Sequence, residues 1–145
     1  MQLKYIALIL FIALINFTAC SKEGKDEAPE SVFETFHPTA NDILIATADF
    51  RTDPPRETTG RAKVYQGEFY HVLRFEDFSI DNGPKLKVYL SDNDSTLVDF
   101  IYIDDLKAAS GSFNYTYSVN TDMIKYSHVL VFSDEENTVY CAASL

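Results

Sequence analysis

The sequence predicts an all-β protein, a single antiparallel β-sandwich or barrel-like domain of about eight strands. From Phe36 onward, apolar residues recur mostly at every second position, the pattern of half-buried strands. Polar stretches rich in glycine, proline, asparagine and aspartate separate these runs, as turns do. A single turn over residues 122–125 is the only helical signal. Many short strands with polar turns favour a sandwich or a barrel.

The predicted strands follow one another at short intervals. They cover residues 43–50, 61–66, 69–76, 85–90, 98–103, 112–119, 128–132 and 138–142. Pro54 and Pro55 make the first connection a loop, because proline lacks a backbone donor for a sheet. Gly67 turns the second strand into the third, and Asn82-Gly83-Pro84 separates the third from the fourth. The chain therefore has alternating strands and turns along its whole C-terminal part.

Residues 1–19 have the features of a bacterial lipoprotein signal peptide. Lys4 precedes the apolar run Tyr5–Ile15, which is too short to span a bilayer. The run leads into Phe17-Thr18-Ala19-Cys20, which resembles the lipobox, and we expect cleavage before Cys20 and lipid attachment to it. The alternatives are an ordinary cleaved signal and an uncleaved anchor. One of only two cysteines lies at the end of the apolar run, which argues against both.

Residues 20–32 are predicted to be a flexible tether, and residues 33–145 the domain. The tether is charged, small and without an apolar period. Ser21 replaces the aspartate that retains enterobacterial lipoproteins in the inner membrane, and Ser21-Lys22-Glu23 resembles a Bacteroidetes surface-export signal. We therefore expect a location in the bacterial cell envelope, at the outer membrane, with the periplasmic and surface-exposed sides both open.

The charge of the chain restricts its partners. Twelve basic and 22 acidic residues give a net charge of −10. An anionic surface repels phosphate backbones, which argues against nucleic acid as a partner. It also gives no attraction to anionic lipid, so membrane contact is expected only through the anchor.

From about residue 33 to the C-terminus, the chain resembles a known family of small extracellular β-domains. The likeness is carried by His37-Pro38-Thr39-Ala40, Leu73 to Phe78, Gly83 to Ser91, Leu106-Lys107, Gly111, Tyr115 and Ala143-Ser144-Leu145. This sequence resembles the DM-thirteen domain, found in animals and bacteria. The resemblance implies a small β-domain. For function it implies electron transfer through a cysteine late in the fold.

The cysteine content weakens this redox interpretation. Counted back from the C-terminus, the position of the family cysteine falls on Ser133, and a serine hydroxyl has no redox cycle. If Cys20 carries lipid, Cys141 is the only remaining thiol. No Lys, Arg or His lies within ten residues of Cys141, so nothing local lowers its pKa. We expect Cys141 to be buried and inert.

Two further groups of residues are candidates for ligand binding. Asp92, Asn93 and Asp94 offer oxygen ligands for calcium, but the glycine and closing glutamate of an EF-hand loop are missing. A solvated turn is the favoured interpretation, and we expect no metal. Phe113, Tyr115 and Tyr117 share one face of a strand. They form either a ligand platform or, as is more common, part of the sandwich core.

The three histidines, at positions 37, 71 and 128, lack the spacing of metal ligands and are expected to be structural. The sequence contains no nucleophile motif, phosphate-binding loop or paired acid and base, which predicts a protein that is not an enzyme and has no cofactor. The function expected is a lipid-anchored, non-enzymatic binding or accessory module of the cell envelope. Its partner would be an envelope protein or a small ligand. A redox carrier and a structural surface protein are the alternatives.

Overall fold

The structure is a computed structural model that describes residues 27–52 and 56–145. The described part contains nine strands in two sheets and no helix. The strands are β1 (Val32–Phe33), β2 (Ile43–Asp49), β3 (Thr58–Gln66), β4 (Tyr70–Ile80), β5 (Leu86–Ser91), β6 (Phe100–Asp105), β7 (Ser110–Ser118), β8 (His128–Ser133) and β9 (Thr138–Ser144). None of the described residues form a helix with the length and hydropathy to cross a membrane. The all-β prediction is confirmed.

Two open sheets face each other. The five-stranded sheet has the order β1-β7-β4-β3-β2, and the four-stranded sheet has the order β6-β5-β8-β9. Neighbouring strands are antiparallel except β1 and β7, which are parallel. The described strands form two separate sheets, whose edges meet at the bridge of Arg51 to Ala142. The fold is therefore a sandwich and not a closed barrel.

Aromatic rings fill the space between the sheets. Phe75, which has no exposed surface, lies at the centre of this cluster. Its ring centroid is 4.7 Å from that of Phe50, 4.9 Å from Phe78, 5.3 Å from Phe113 and 5.4 Å from Tyr115. Tilted and edge-on pairs at these distances add to the free energy gained by burial.

The folded domain begins earlier than predicted. Residues 27–32, assigned to the flexible tether from their composition, are paired with the sheets. Glu27 bridges to Pro84, the carbonyl of Pro29 accepts a 2.8 Å bond from Ala109, and Val32 pairs with Gly111. The edge of β7 has backbone groups to satisfy, and β1 satisfies them. Cys20 and the predicted signal peptide lie outside the described residues.

Between β1 and β2 the chain crosses the outer face of the five-stranded sheet. The Glu34 carboxylate lies 2.8 Å from the Lys107 ammonium and accepts a 2.8 Å bond from the backbone of Asn114. Burial raises the pKa of Glu34, but these partners outweigh it and hold the pKa below its ordinary value. Further along, the Phe36 ring lies 4.8 Å from that of Tyr65 in β3. This crossing segment joins the two edges of the sheet.

Candidate functional site

Cys141, the thiol on which a redox function would depend, lies inside the core. Its side chain is 1% exposed and belongs to the main apolar cluster. In the register it faces Val131 of β8. Burial raises the pKa of the thiol, and contacts with Thr58 and the Val131 backbone oppose this only in part. A protonated, shielded thiol is a poor nucleophile and a poor redox partner.

Ser133, at the position of the family cysteine, has a structural role. It has no exposed surface. Its hydroxyl donates a 2.7 Å hydrogen bond to the carbonyl of Pro84 and accepts a 3.1 Å bond from the backbone N–H of Glu136. The side chain therefore ties the turn before β5 to the turn between β8 and β9. A buried hydroxyl that is satisfied on both sides stabilises the fold.

The Gly83-Pro84 turn, which contributes to the family resemblance, also has a packing role. A Cβ atom at Gly83 would overlap the ring of Tyr140. The Tyr140 hydroxyl reaches past this glycine and donates a 2.7 Å hydrogen bond to the Glu136 carboxylate. Glycine is therefore the residue that allows β9 to approach this turn.

The predicted platform of Phe113, Tyr115 and Tyr117 lies on the inner face of β7. Phe113 has no exposed surface and Tyr115 is 3% exposed, and both belong to the core. Tyr117 is half-buried, and its hydroxyl donates a 3.2 Å bond to the sulfur of Met123. Burial raises the pKa of the Tyr115 and Tyr117 hydroxyls. These three rings pack beneath the opposite sheet.

Asp92, Asn93 and Asp94 lie in the turn before β6, as expected. The side-chain oxygen of Asn93 accepts bonds from the backbone of Ser95 and of Thr96, at 3.1 and 2.8 Å. Its amide donates a 2.8 Å bond to the Asp92 carboxylate. The side-chain oxygens of Asn93 and Asp92 therefore accept hydrogen bonds from groups within the same turn. In residues 27–52 and 56–145, no group of three or more His, Cys, Asp or Glu side chains is placed to hold a metal ion.

An aromatic surface that sequence reasoning missed covers part of the outer face of the four-stranded sheet. We call this surface, formed by Tyr89, Phe100, Tyr102 and Phe132, the aromatic face. The ring centroid of Tyr89 lies 5.3 Å from Phe100, 5.6 Å from Tyr102 and 6.1 Å from Phe132. Tyr89 and Phe132 are buried, whereas Phe100 and Tyr102 are 44% and 49% exposed. The aromatic face therefore combines two partly exposed rings with two buried rings.

The strand pattern explains this placement. In β5 the side chains of Leu86, Val88 and Leu90 point into the main core, so Tyr89 points outward. In β8, Phe132 points outward together with Leu130, while Val129 and Val131 point inward. The outer face of a sandwich sheet is usually polar. An apolar outer face is therefore a feature that calls for an explanation.

Charged groups border the aromatic face. The Lys87 ammonium lies 2.6 Å from the Asp134 carboxylate, which also accepts a 2.8 Å bond from the Tyr89 hydroxyl. The hydrogen bond with Asp134 raises the pKa of Lys87. Burial raises the pKa of Asp134, but its interactions with Lys87 and Tyr89 outweigh this effect and hold the pKa below its ordinary value. The Tyr102 hydroxyl donates a 3.0 Å bond to Asp105. The rings thus lie beside a fixed pair of opposite charges.

His71 is a buried titratable group near the start of β4. It is 3% exposed, its ring lies 5.1 Å from that of Tyr117, and its Nδ1 atom has no hydrogen-bond partner. Burial lowers the pKa of the imidazole below its ordinary 6.5. The neutral ring is therefore the form that the folded state accommodates.

This burial predicts a pH dependence of stability. The unfolded chain takes up a proton at His71 as the pH falls through 6.5, whereas the folded chain does so only at lower pH. The free energy of unfolding should therefore decline from pH 7 to pH 5 more steeply in the wild type than in His71→Phe. Urea denaturation at several pH values measures this difference. Equal slopes in the two proteins would contradict it.

The comparison with protein families identifies a family for the larger part of the chain. Residues 49–145 match the family model described as "Electron transfer DM13", and this match covers more than half of the chain. It runs from the last residue of β2 to the C-terminus. No curated protein and no solved structure matches the chain. The chain belongs to the DM13 family, as its resemblance to the DM-thirteen domain predicted.

Proposed function

We propose that this protein is a non-enzymatic binding module of the bacterial cell envelope. In this proposal it is anchored by lipid at Cys20, and the aromatic face is its ligand surface. The observation that carries the proposal is the exposure of Phe100 and Tyr102 on an apolar outer sheet face. Exposed apolar patches on a folded domain are typical of interaction sites.

The aromatic face is suited to binding because its rings are held in place before a ligand arrives. Tyr89 supports both exposed rings from below, and its hydroxyl is fixed by Asp134. Ordering mobile side chains costs about 0.5–1.5 kcal/mol each on association, and supported rings avoid much of that cost. The Lys87–Asp134 pair gives the surface a polar side that orients a ligand.

The chemistry of the face supports a binding role better than catalysis. Its polar groups are engaged with each other: Lys87 forms an ion pair with Asp134, and the Tyr102 hydroxyl donates a hydrogen bond to Asp105. The pKa of Lys87 is raised and that of Asp134 is lowered, so both stay charged at neutral pH. A general acid or base needs a pKa near the working pH.

Electron transfer is the second candidate, and the description of the family favours it. Within the described residues Cys141 is the only thiol that such a function would use. Its burial and raised pKa, together with the serine at position 133, weigh against this candidate.

Photo-crosslinking in living cells tests the role of the aromatic face. A photoreactive phenylalanine analogue replaces Tyr102 in one variant and Thr116, which is exposed on the opposite sheet, in a control variant. We expect a discrete adduct from position 102 and none from position 116. Phe100→Ser should weaken the adduct by about tenfold, because the contact of one ring contributes about 1.4 kcal/mol or more. The same adducts from both positions would contradict the proposal.

Fractionation tests the anchor. Cys20→Ala should move the protein from the membrane fraction to the soluble fraction and abolish labelling with a fatty-acid analogue, because acyl chains contribute about 0.8 kcal/mol per buried CH₂ group. Cys141→Ala is the matched control and should leave both readouts unchanged. Membrane retention of Cys20→Ala without label would indicate an uncleaved helix instead.

A further inference from the structure

β2 forms an open edge of the five-stranded sheet. It pairs with β3 on one side. On the other side no strand in the described parts of the chain pairs with Ile43–Asp49, and the first pairing there is the bridge from Arg51, two residues beyond β2, to Ala142 of β9. An open edge presents a row of backbone N–H and C=O groups that another strand can pair with. Ile45 is the extra residue of a bulge, since Leu44 pairs with Tyr65 and Ala46 with Val64. The remaining residues, 46–49, are in regular register.

Large apolar side chains surround this edge. Ile43 is 62% exposed, and Leu44 and Ile45 are 49% and 41% exposed. The turn between β3 and β4 adds Phe69 and Tyr70, which are 73% and 48% exposed. This turn is adjacent because Ile43 pairs with Gln66, the residue before it. We call this surface, made of Ile43, Leu44, Ile45, Phe69 and Tyr70, the apolar edge.

The apolar edge has none of the charged side chains that usually protect an edge strand. Natural sheets protect exposed edges with lysine and other charged residues. No charged residue occurs from Ile43 to Ala48, and the one charged residue of β2 is Asp49, at the end of the strand far from the exposed apolar side chains. An uncharged edge flanked by exposed apolar side chains is suited to pairing with another strand.

The chain's own N-terminal tether does not fit this edge. The described chain starts at Glu27, which bridges to Pro84 beyond the C-terminal end of β4. The apolar edge lies at the other end of β4, beside Tyr70. The strand between them, Tyr70–Ile80, spans about 33 Å at 3.3 Å per residue. Residues 20–26 contain no large apolar side chain that could cover an apolar surface.

Charge argues against a second copy of the chain. The protein has a net charge of −10. Asp42 and Glu68 flank the apolar edge, and residues 41–46 and 66–70 contain no lysine or arginine. A second copy would bring another net negative surface against these acidic residues, whereas basic residues of another protein would be attracted to them.

We propose that the apolar edge binds an extended segment of a second protein, which adds a strand beside β2. That segment carries large apolar residues and is flanked by lysine or arginine. The proposal is independent of the aromatic face, which lies on the other sheet. It also concerns a strand that lies, except for its last residue, outside the region matched by the family model.

Selection of peptides from a displayed library tests the proposal. The library contains random 12-residue peptides, and the full-length protein in detergent micelles is the target. Parallel selections use Ile45→Lys, which places a charge on the edge, and Thr116→Lys, which places one at an exposed position of β7, a strand separated from β2 by β4 and β3. Ile43→Lys serves as a second edge variant. Hydrogen exchange with the selected synthetic peptide then locates the protected backbone amides.

We expect the wild type and Thr116→Lys to enrich peptides of apolar residues with basic flanks, at least about tenfold over both edge variants. This corresponds to about 1.4 kcal/mol. The bound peptide should slow exchange in β2. Equal enrichment on all four proteins, acidic peptides, or protection at β6 would overturn the proposal. A dimer in the absence of peptide that Ile45→Lys abolishes would also overturn it, in favour of a second copy.

Discussion

Phe75→Ala is expected to lower the free energy of unfolding by about 3–5 kcal/mol, the usual loss for a fully buried phenylalanine. Phe75 has no exposed surface and contacts four other rings. Removing it leaves a cavity at the point where the two sheets share their core. Domains of this size are stable by about 5–15 kcal/mol, so the change is a large part of the total.

Urea denaturation measures this loss if unfolding is two-state. Phe33→Ala is the matched control, because Phe33 is 78% exposed and its removal should change the free energy of unfolding by less than about 0.5 kcal/mol. A loss below about 1 kcal/mol for Phe75→Ala would show that Phe75 is not at the centre of the core.

The second large effect concerns the reactivity of Cys141. A thiol reagent should label Cys141 in the native protein at least about a thousandfold more slowly than in denaturant. The thiol is 1% exposed and its pKa is raised by burial, so labelling requires the sheets to open. An opening free energy of about 4 kcal/mol gives a factor of about a thousand.

The controls for this measurement separate the two candidate functions. Thr116→Cys adds an exposed thiol that should label rapidly in the same native sample. Cys141→Ser should cost about 1–2 kcal/mol of stability, because it buries a hydroxyl in an apolar site. Rapid native labelling of Cys141, or a reversible redox couple that Cys141→Ser abolishes, would favour electron transfer over the binding module.

Alternation of apolar residues predicted most of the sheet. The eight predicted strands correspond to β2 through β9, because each is long enough to show the period of two. β1 was missed for a physical reason. It contains two residues, Val32 and Phe33, and it exists because β7, distant in the sequence, offers an edge. No local pattern marks such a pairing.

The candidate site was only partly visible in the sequence. The burial of Cys141 agrees with its position in the last strand. The role of Ser133 depends on Pro84, 49 residues away, and no local pattern reveals it. The aromatic face did leave a signal. Val129-Leu130-Val131-Phe132 is a continuous apolar run, which indicates a strand covered on both faces.

If Cys20 carries the proposed lipid, the docking of β1 also limits how far the domain can lie from the membrane. Gly111, at a φ of 122°, allows this docking, because a Cβ there would overlap the carbonyl of Val32. With β1 in place, the seven residue-to-residue steps from Cys20 to Glu27 reach at most about 25 Å. If β1 and the crossing segment were released, the free chain would extend from Cys20 to Ile43 and reach about 80 Å. With the proposed lipid at Cys20, docking of the two-residue strand β1 would keep the domain close to the bilayer, and its release would let the domain move well beyond it.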